Sequence, residues 1–355
     1  MNYSKTIKVL IVDDSISIRN LLESYLSHDP KIEVIGKAAD PYQAAEMIKK
    51  QIPDVITLDI EMPRMDGLTF LKKIMTQHPI PVIIVSSLTS KGAKATIKAL
   101  EYGAVEILQK PIQYGNTKEE TIHYLTTKIK VAHFARVKSR KSKSYDVLPK
   151  LSADAILKKK SFYINQSTTD KVVAIGASTG GTEAILEVIK TLDTNTTGIV
   201  IVQHIPAHFT KAFANRLNEI CPLFVKEAEN GDFIRNGLVL ISPGDKHMVV
   251  EHMAGRNKVR LMDGPPVNRH RPSVDVLFRS MANKIGHKGL GVLLTGMGDD
   301  GAQGLLEMKE SGAQTIAQDE KSCVVYGMPR EAVKRNAQLY SMNLVSIAEF
   351  IKKFR

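Results

Sequence analysis

Residues 172–181 read Val-Val-Ala-Ile-Gly-Ala-Ser-Thr-Gly-Gly, an apolar run that ends in glycines around a single serine. The helical pattern of 182–190 follows at once, so the stretch predicts a buried strand, a sharp turn and a helix. Such a turn places Ser178 beyond the carboxyl end of a strand, near the free N–H groups of a helix N-terminus, which favour negative charge. The motif therefore makes Ser178 a candidate functional residue, and the other candidate residues are considered in relation to it.

Three interpretations of this turn are open on these residues alone. Gly176 to Gly180 match Gly-x-Ser-x-Gly, the pattern of a nucleophile elbow. A phosphate-binding loop is the second interpretation, although both Gly-x-Gly-x-x-Gly and a Gly-Lys-Ser/Thr ending are missing. The third is a tight turn from strand to helix with no chemistry.

Length and composition limit the class of protein. With 355 residues, 43% of them hydrophobic and 24% charged, the chain predicts two globular domains with sizeable cores. No apolar run reaches about 18 residues, and the N-terminus lacks the apolar core of a signal peptide. Cys221 and Cys323 have no metal-ligand spacing. We therefore expect a cytoplasmic protein with reduced thiols and no membrane insertion.

The positive charge is concentrated in one segment. The formal net charge is +12, and residues 135–160 hold nine lysines and arginines against two aspartates. This segment is poor in apolar residues and rich in lysine and serine, which predicts a basic flexible linker over 131–170. The domains would then span 1–130 and 171–355. Since no helix-turn-helix, zinc-finger or aromatic-interleaved basic motif is present, we expect no nucleic-acid partner.

The first domain alternates short apolar runs with helical segments. The runs are unbroken rather than alternating, which is typical of strands buried on both faces of a parallel sheet. Five βα units predict an open, doubly wound, flavodoxin-like sheet with its site beyond the carboxyl ends of the strands. The predicted strands are 7–12, 32–35, 55–58, 82–85 and 105–108.

Polar side chains follow several of these strands. Asp13 and Asp14 follow the first strand and Asp59 ends the third. Three converging carboxylates repel one another unless a cation is present, and oxygen-only ligands suit Mg²⁺. Two hydroxyls, Ser86 and Ser87, follow the fourth strand, and Lys110 with Pro111 follows the fifth. A carboxylate nucleophile, a metal, a hydroxyl and a lysine predict a site that receives a phosphoryl group.

These motifs resemble the receiver domain of two-component response regulators. The resemblance implies that Asp59 accepts the phosphoryl group and that Asp13 and Asp14 help hold Mg²⁺. Ser86 would sense the phosphoryl group, and Lys110 would pair with it electrostatically. Where many receivers carry a Tyr or Phe, three residues before that lysine, this chain has Ile107, which puts the usual coupling of hydroxyl to aromatic ring in doubt.

The second domain again alternates strands and helices and predicts a mixed α/β fold. A serine nucleophile needs a base, and His204 follows the apolar run 199–202. His204 is also open to interpretation as a metal ligand with His208, or as a histidine without a catalytic role. His247 and His270 are weaker candidates, for substrate binding or as polar loop residues.

The orienting acid is expected in the glycine-rich turn after the run 291–294. Asp299 and Asp300 both lie there. One of them is expected to orient the histidine and the other to cap the following helix, and spacing alone does not choose between them. The chain order Ser, His, Asp differs from the Ser, Asp, His order of α/β-hydrolases and argues against that fold.

Several motifs of this domain resemble the CheB methylesterase family, which are chemotaxis response regulators. They are Gly176–Gly181, Gln203–Pro206, Asp263–Asp275, Leu294–Ala302 and Tyr326–Arg330. The resemblance implies a triad of Ser178, His204 and Asp300, an oxyanion donor in the Met297 backbone N–H, and Thr179 beside the nucleophile.

This resemblance also implies an activity and partners. The expected reactions are hydrolysis of glutamate methyl esters and deamidation of glutamines on the cytoplasmic domains of methyl-accepting chemotaxis receptors, with no cofactor for the esterase. Phosphorylation of Asp59 by a chemotaxis histidine kinase would activate the enzyme. The alternatives are a response regulator whose second domain is a binding scaffold, and a hydrolase of small-molecule esters.

Overall fold

The computed structural model describes residues 6–62, 66–86, 90–110, 112, 117–135, 153, 156–157, 171–253 and 255–354, without the side chains of 90–92 and 94. The chain divides into two compact units, Met1–Lys143 and Ser144–Arg355. Most of the predicted linker, together with Ser87 and Pro111, lies outside the described residues. Within the described ranges, no helix is both long enough and apolar enough to cross a membrane.

The first unit is the expected doubly wound sheet. All four strand pairings are parallel, in the order β2-β1-β3-β4-β5. The apolar residues of β1, β3, β4 and β5 are buried, as the unbroken runs predicted, whereas Val34 and Ile35 of the edge strand β2 are half-buried. The elements are β1 (Ile7–Val12), α1 (Ile16–Leu26), β2 (Ile32–Ala38), α2 (Pro41–Lys50), β3 (Val55–Asp59), α3 (Gly67–Gln77), β4 (Val82–Ser86), α4 (Ser90–Glu101), β5 (Glu106–Gln109) and α5 (Lys118–Phe134).

The second unit contains a seven-stranded sheet in which every pairing is parallel, in the order β14-β13-β12-β6-β7-β9-β8; the antiparallel pair β10-β11 is a separate hairpin. The elements are β6 (Val172–Ala177), α6 (Gly181–Ile189), β7 (Ile199–Gln203), α7 (Ala207–Ile220), β8 (Phe224–Glu227), β9 (Leu238–Ile241), β10 (His247–Met253), β11 (Arg256–Met262), α8 (Val274–Lys284), β12 (Gly289–Leu293), α9 (Ala302–Glu310), β13 (Gln314–Gln318), α10 (Met328–Lys334), β14 (Tyr340–Met342) and α11 (Leu344–Lys353).

The central strand β6 determines which loops meet. It pairs with β12 on one side and with β7 on the other, and Ala177 lies opposite Gln203. The carboxyl ends of the three strands therefore bring the residues that follow them to one edge of the sheet. Helix α8 packs close to this edge, because a Cβ on Gly176 would lie 2.1 Å from Cγ1 of Val274 and a Cβ on Gly301 2.6 Å from the same atom.

Part of the predicted linker packs on the second unit. Ala153 is buried in a small apolar cluster that also contains Val249 and Val276, and Ile156 packs against the cluster. The guanidinium of Arg279 donates a hydrogen bond to the carbonyl oxygen of Leu157 over 2.9 Å. At least these residues are thus attached to the second unit, whereas the sequence alone suggested a solvated tether.

Arg279 itself is held by a buried, bidentate ion pair. Its Nε and Nη2 atoms lie 2.8 and 2.6 Å from the carboxylate oxygens of Glu307, and both side chains are buried. Removing one partner of a buried pair leaves an uncompensated charge away from water, which is strongly destabilising.

We expect Arg279→Ala to lower the free energy of unfolding by about 3–5 kcal/mol. Lys334→Ala is the matched control, since Lys334 pairs with Glu331 at the surface and should lose less than about 1 kcal/mol. Urea denaturation followed by circular dichroism measures both. Equal losses in the two variants would contradict the structural weight given to the buried pair.

Candidate active site

Ser178 lies in the turn between β6 and α6, as the opening motif predicted. Its backbone N–H donates to the carbonyl of Thr295 over 3.0 Å, and its own carbonyl accepts from Gln203 Nε2 (2.9 Å) and from the N–H of Gly181 (2.7 Å). Gly180 precedes the helix with φ of +74°, a left-handed conformation that glycine adopts without strain. The serine is buried and its backbone is held from both neighbouring strands.

His204 follows β7 and is placed beside this turn, since its backbone N–H donates to the carbonyl of Ala177 over 3.1 Å. Its Nε2 lies 2.9 Å from Oδ2 of Asp300, and both side chains are buried. Among the described residues, the buried Nδ1 has no hydrogen-bond partner. Because Asp300 is acceptor-only when ionised, Nε2 carries the proton and Nδ1 presents its lone pair. The better-known triads use the two nitrogens the other way round.

Asp300 sits at the N-terminus of α8, where several donors converge. Five groups donate to its two oxygens: on Oδ1, Ser273 Oγ (2.7 Å), Asn268 Nδ2 (2.9 Å) and the N–H of Asp275 (3.2 Å); on Oδ2, the N–H of Val274 (2.7 Å) and His204 Nε2 (2.9 Å). Free N–H groups and the helix dipole stabilise an anion at this position.

The pKa of Asp300 is lowered. Burial acts to raise the pKa, but the hydrogen bond and charge of His204, the nearby His270 and the amide of Asn268 outweigh it. These donors therefore favour the ionised form of Asp300 as the partner of the imidazole. The structure pairs His204 with Asp300 rather than with Asp299, whose carboxylate lies 3.7 Å from Arg335.

The other two histidines near the site differ in their surroundings. The ring of His270 stacks on that of His204, with centroids 3.8 Å apart and planes 7° apart. His208, which raised the metal alternative, is exposed in the first turn of α7.

His247 is fully buried and contacts the start of α8. Its Nδ1 accepts from the N–H of Ser273 over 3.2 Å, while Nε2 donates to the carbonyl of Pro265 over 3.0 Å. These contacts suit only a neutral imidazole. Burial accordingly lowers the pKa of His247, against opposing effects of the Pro265 hydrogen bond and of the charge of Asp300.

The turn that holds Met297 lies against the serine. A Cβ on Gly296 would come within 2.7 Å of Ser178 Cβ and 2.3 Å of Met328 Sδ, so only glycine fits there. The N–H groups of Gly327 and Met328 donate to the Gly296 carbonyl over 3.1 and 2.8 Å. Beside the serine, Thr179 is buried and its carbonyl accepts from a threonine hydroxyl over 3.0 Å. The peptide that ends in the Met297 N–H is therefore held next to Ser178.

The first unit has its own polar site, at the carboxyl edge of its sheet. One oxygen each of Asp13, Asp14 and Asp59 lie within 4.8 Å of one another, the arrangement of a cation site. Lys110 Nζ lies 2.6 Å from Asp13 and 2.7 Å from Asp59. The pKa of Asp59 is raised by burial and by the charge of Asp13, although Lys110 opposes both. The donor set, made of carboxylates alone, fits a hard divalent cation.

Ser86 ends β4 beside this acidic cluster, and its Oγ accepts a hydrogen bond from Thr96 over 2.8 Å. Both side chains are buried. Ile107, which replaces the usual aromatic residue, is buried within β5.

Comparison with known proteins identifies the family of each domain. Residues 173–351 match the CheB methylesterase family, and residues 9–121 match the response regulator receiver domain. A Geobacter metallireducens protein named protein-glutamate methylesterase/protein-glutamine glutaminase 3 is 53% identical over 93% of this chain and 94% of its own length. A Shewanella oneidensis protein of the same name is 52% identical over 98% and 99%.

A crystal structure of the Thermotoga maritima CheB methylesterase catalytic domain is similar to the second unit. It has 37% sequence identity and a TM-score of 0.52, and the match covers 53% of this chain and all of that one. The chain belongs to the CheB methylesterase family.

The sequence of this CheB family member predicts the polar residues at the ends of strands, but not the residues that hold them in place. No role was predicted for Asn268, Ser273 or Asp275, and His247 was expected either to bind substrate or to be a polar loop residue. A serine directly before a helical pattern is a helix-capping signal, and Ser273 before 274–284 carries it. The contacts of Asn268 and His247 join segments distant in sequence, so no local pattern predicts them.

We expect His247 to make folding stability fall at acidic pH. Since its pKa in the folded protein lies below the ordinary 6.5, the unfolded chain binds a proton that the folded protein does not as pH falls through about 6.5. His247→Gln, which keeps a donor and an acceptor, should reduce the loss of stability between pH 7 and pH 5 by about 1 kcal/mol.

Urea denaturation at the two pH values measures this difference. His287→Gln, at an exposed histidine, serves as the control and should keep the pH dependence of the parent. An unchanged slope in His247→Gln would contradict the neutral, buried state.

Proposed function

We propose that this chain is a protein-glutamate methylesterase and protein-glutamine glutaminase that acts on methyl-accepting chemotaxis receptors, under the control of its receiver domain. The observation that carries the proposal is the buried pair of His204 and Asp300 beside Ser178, in which Nδ1 remains available. A buried imidazole with one nitrogen on a carboxylate and the other unpaired suits a general base better than a binding scaffold.

The first half of the reaction forms an acyl-enzyme. Ser178 Oγ attacks the ester carbonyl carbon while its proton passes to Nδ1 of His204, and Asp300 stabilises the imidazolium through Nε2. The tetrahedral intermediate then releases its methoxy group, which takes the proton from Nδ1 and leaves as methanol. With a glutamine side chain the leaving group is ammonia.

The second half regenerates the serine. A water molecule gives a proton to Nδ1 and attacks the acyl carbon, and the collapse of the intermediate returns a proton to Ser178 Oγ. The product is a glutamate carboxylate on the substrate protein. In both halves the negative oxygen is stabilised by the Met297 N–H with Thr179 at its side, and one such donor is worth about 3–4 kcal/mol in other hydrolases.

The receiver supplies the control. Asp59 is the phosphoryl acceptor and a chemotaxis histidine kinase the donor, while Asp13, Asp14 and Asp59 hold Mg²⁺. The bound ion supplies positive charge that offsets the carboxylates and the incoming phosphoryl oxygens. Lys110 pairs with the phosphoryl group, and Ser86 responds to it. Because Ile107 is aliphatic, the response passes through the Ser86 hydroxyl without the aromatic ring that many receivers carry at this position.

The substrate and the kinase place the enzyme in the cytoplasm. The esterase reaction needs no cofactor, because the base, the orienting acid and the oxyanion donors all come from the chain itself.

Loss of the nucleophile or the base is expected to abolish most of the activity. Ser178→Ala and His204→Gln should each lower kcat by about 10⁴-fold or more. His208→Gln, four residues further on and exposed, is the matched control and should stay near the parent rate. Methanol release from methyl-labelled receptor measures all three. Appreciable turnover by Ser178→Ala would refute the assignment of the nucleophile.

Loss of the phosphoryl acceptor is expected to abolish activation. A small phosphodonor with Mg²⁺ should accelerate methanol release by the parent but not by Asp59→Asn, because an amide does not take up a phosphoryl group. Glu46→Gln, at an exposed position on α2, is the control and should respond like the parent. A normal response of Asp59→Asn would place the phosphorylation site elsewhere.

A further inference from the structure

The turn over residues 267–270 is an unusual element of the active site. Val267 and His270 close it with two backbone hydrogen bonds of 3.0 and 2.8 Å. Its two central residues, Asn268 and Arg269, have φ of +50° and +70°. Two successive residues in the left-handed region define a turn that favours Asn followed by Gly, and an arginine in the second position is less favourable. Contacts elsewhere must therefore hold the turn in this shape.

The side chain of Asn268 provides such contacts. Its Nδ2 donates to Oδ1 of Asp300 over 2.9 Å and to Oδ2 of Asp275 over 2.5 Å. Both carboxyl groups are buried. One amide group thus bridges two buried acids, and without it each acid would lose one donor, which is costly in a buried site.

Asp275 is in turn tied to the fold. It lies in the first turn of α8, and its Oδ1 accepts from the N–H of Gly304 in α9 over 2.7 Å. Burial and the charge of Asp300 raise the pKa of Asp275. Asn268 is therefore anchored to a rigid pair of helices on one side and to the proposed orienting acid on the other.

This anchoring reaches both sides of His204. Because Asn268 and Ser273 occupy Oδ1 of Asp300, Oδ2 is directed at His204. The same turn ends at His270, whose ring stacks on His204. A single side chain therefore influences both the hydrogen bond in the plane of the imidazole and the contact on its face.

We propose that Asn268 is a positioning residue for hydrolysis, which orients Asp300 towards His204 and holds the turn that stacks His270 on the same ring. Its side chain is hydrogen-bonded to Asp300 and Asp275, so it acts on the imidazole through Asp300. The inference rests on the proposed function for its kinetic consequences, whereas the orientation of the imidazole can be observed without substrate.

Asn268→Gly removes the amide and keeps a residue that accepts the left-handed backbone. Arg269→Gly is the matched control, because it relaxes the same turn and leaves the amide in place. We expect Asn268→Gly to lower kcat by about 10–100-fold with little change in KM, since small misplacements of a catalytic group have effects of this size. Arg269→Gly should stay within about three-fold of the parent.

A second readout follows the imidazole itself. The Nε2 proton of His204, hydrogen-bonded to Asp300, should give a protected downfield proton resonance in the parent and in Arg269→Gly. In Asn268→Gly that resonance should broaden or vanish through exchange with water. If Asn268→Gly equals Arg269→Gly in both kcat and this resonance, the proposal is wrong.

Failure of the proposed function and failure of the variant to fold can each be distinguished from failure of the proposal for Asn268. If the parent has no esterase activity that depends on Ser178, the proposed function fails, and the resonance alone decides the role of Asn268. If Asn268→Gly does not fold, as judged by circular dichroism, Asn268→Asp replaces it. Its ratio to the parent rate should rise as pH falls, since a protonated carboxyl regains one donor for Asp300; a flat ratio would overturn the proposal.

Discussion

The buried carboxylate of Asp300 is the constraint on which the second unit depends. An ionised carboxyl group away from water is tolerated only when donors surround it, and five donors do so here. They come from the residue that follows β7, from the 267–270 turn and from the start of α8. The carboxylate can be buried only when these three segments come together. Formation of the fold around Asp300 therefore also assembles the proposed triad.

The acidic cluster of the receiver follows the opposite principle. Asp13 and Asp59 are also buried, but they share the single cation of Lys110, and Asp14 is exposed beside them. Lys110 offsets only part of the negative charge of the three carboxylates. The remaining negative charge favours binding of a cation, and in the absence of a cation it repels an added anion. The charge of Asp300 is thus balanced by donors of the fold itself, whereas the charge around Asp59 is balanced only in part and can be changed by a bound cation or anion. That difference suits the proposed roles of the two residues: Asp300 orients the imidazole in the second unit, and Asp59 accepts the phosphoryl group in the first.

The sequence predicted much of this architecture because buried parallel strands are continuous apolar runs. The strands β1, β6, β7 and β12 were expected on that ground. It did not predict β8 and β14, which lie at the sheet edges with exposed residues such as Phe224 and Tyr340, or β13, which begins and ends with glutamine. The ends of strands also predicted Ser178 and His204 as candidate site residues. The choice between Asp299 and Asp300, and the nitrogen of His204 that faces the acid, depend on where α8 begins relative to the sheet, which no local pattern contains.

The position of α8 follows from the order of the strands and from two glycines. Since β6 lies between β12 and β7, Ser178 stands between the segment that supplies Asp300 and the strand that supplies His204. The acid therefore reaches the imidazole across the strand of the serine, and the helix that satisfies it must lie over that strand. Gly176 and Gly301 make this possible, since any side chain there would overlap Val274. Gly176 in the serine motif thus affects a distant contact. It lets the helix come close enough for the Val274 N–H to reach the carboxylate of Asp300, the proposed orienting acid.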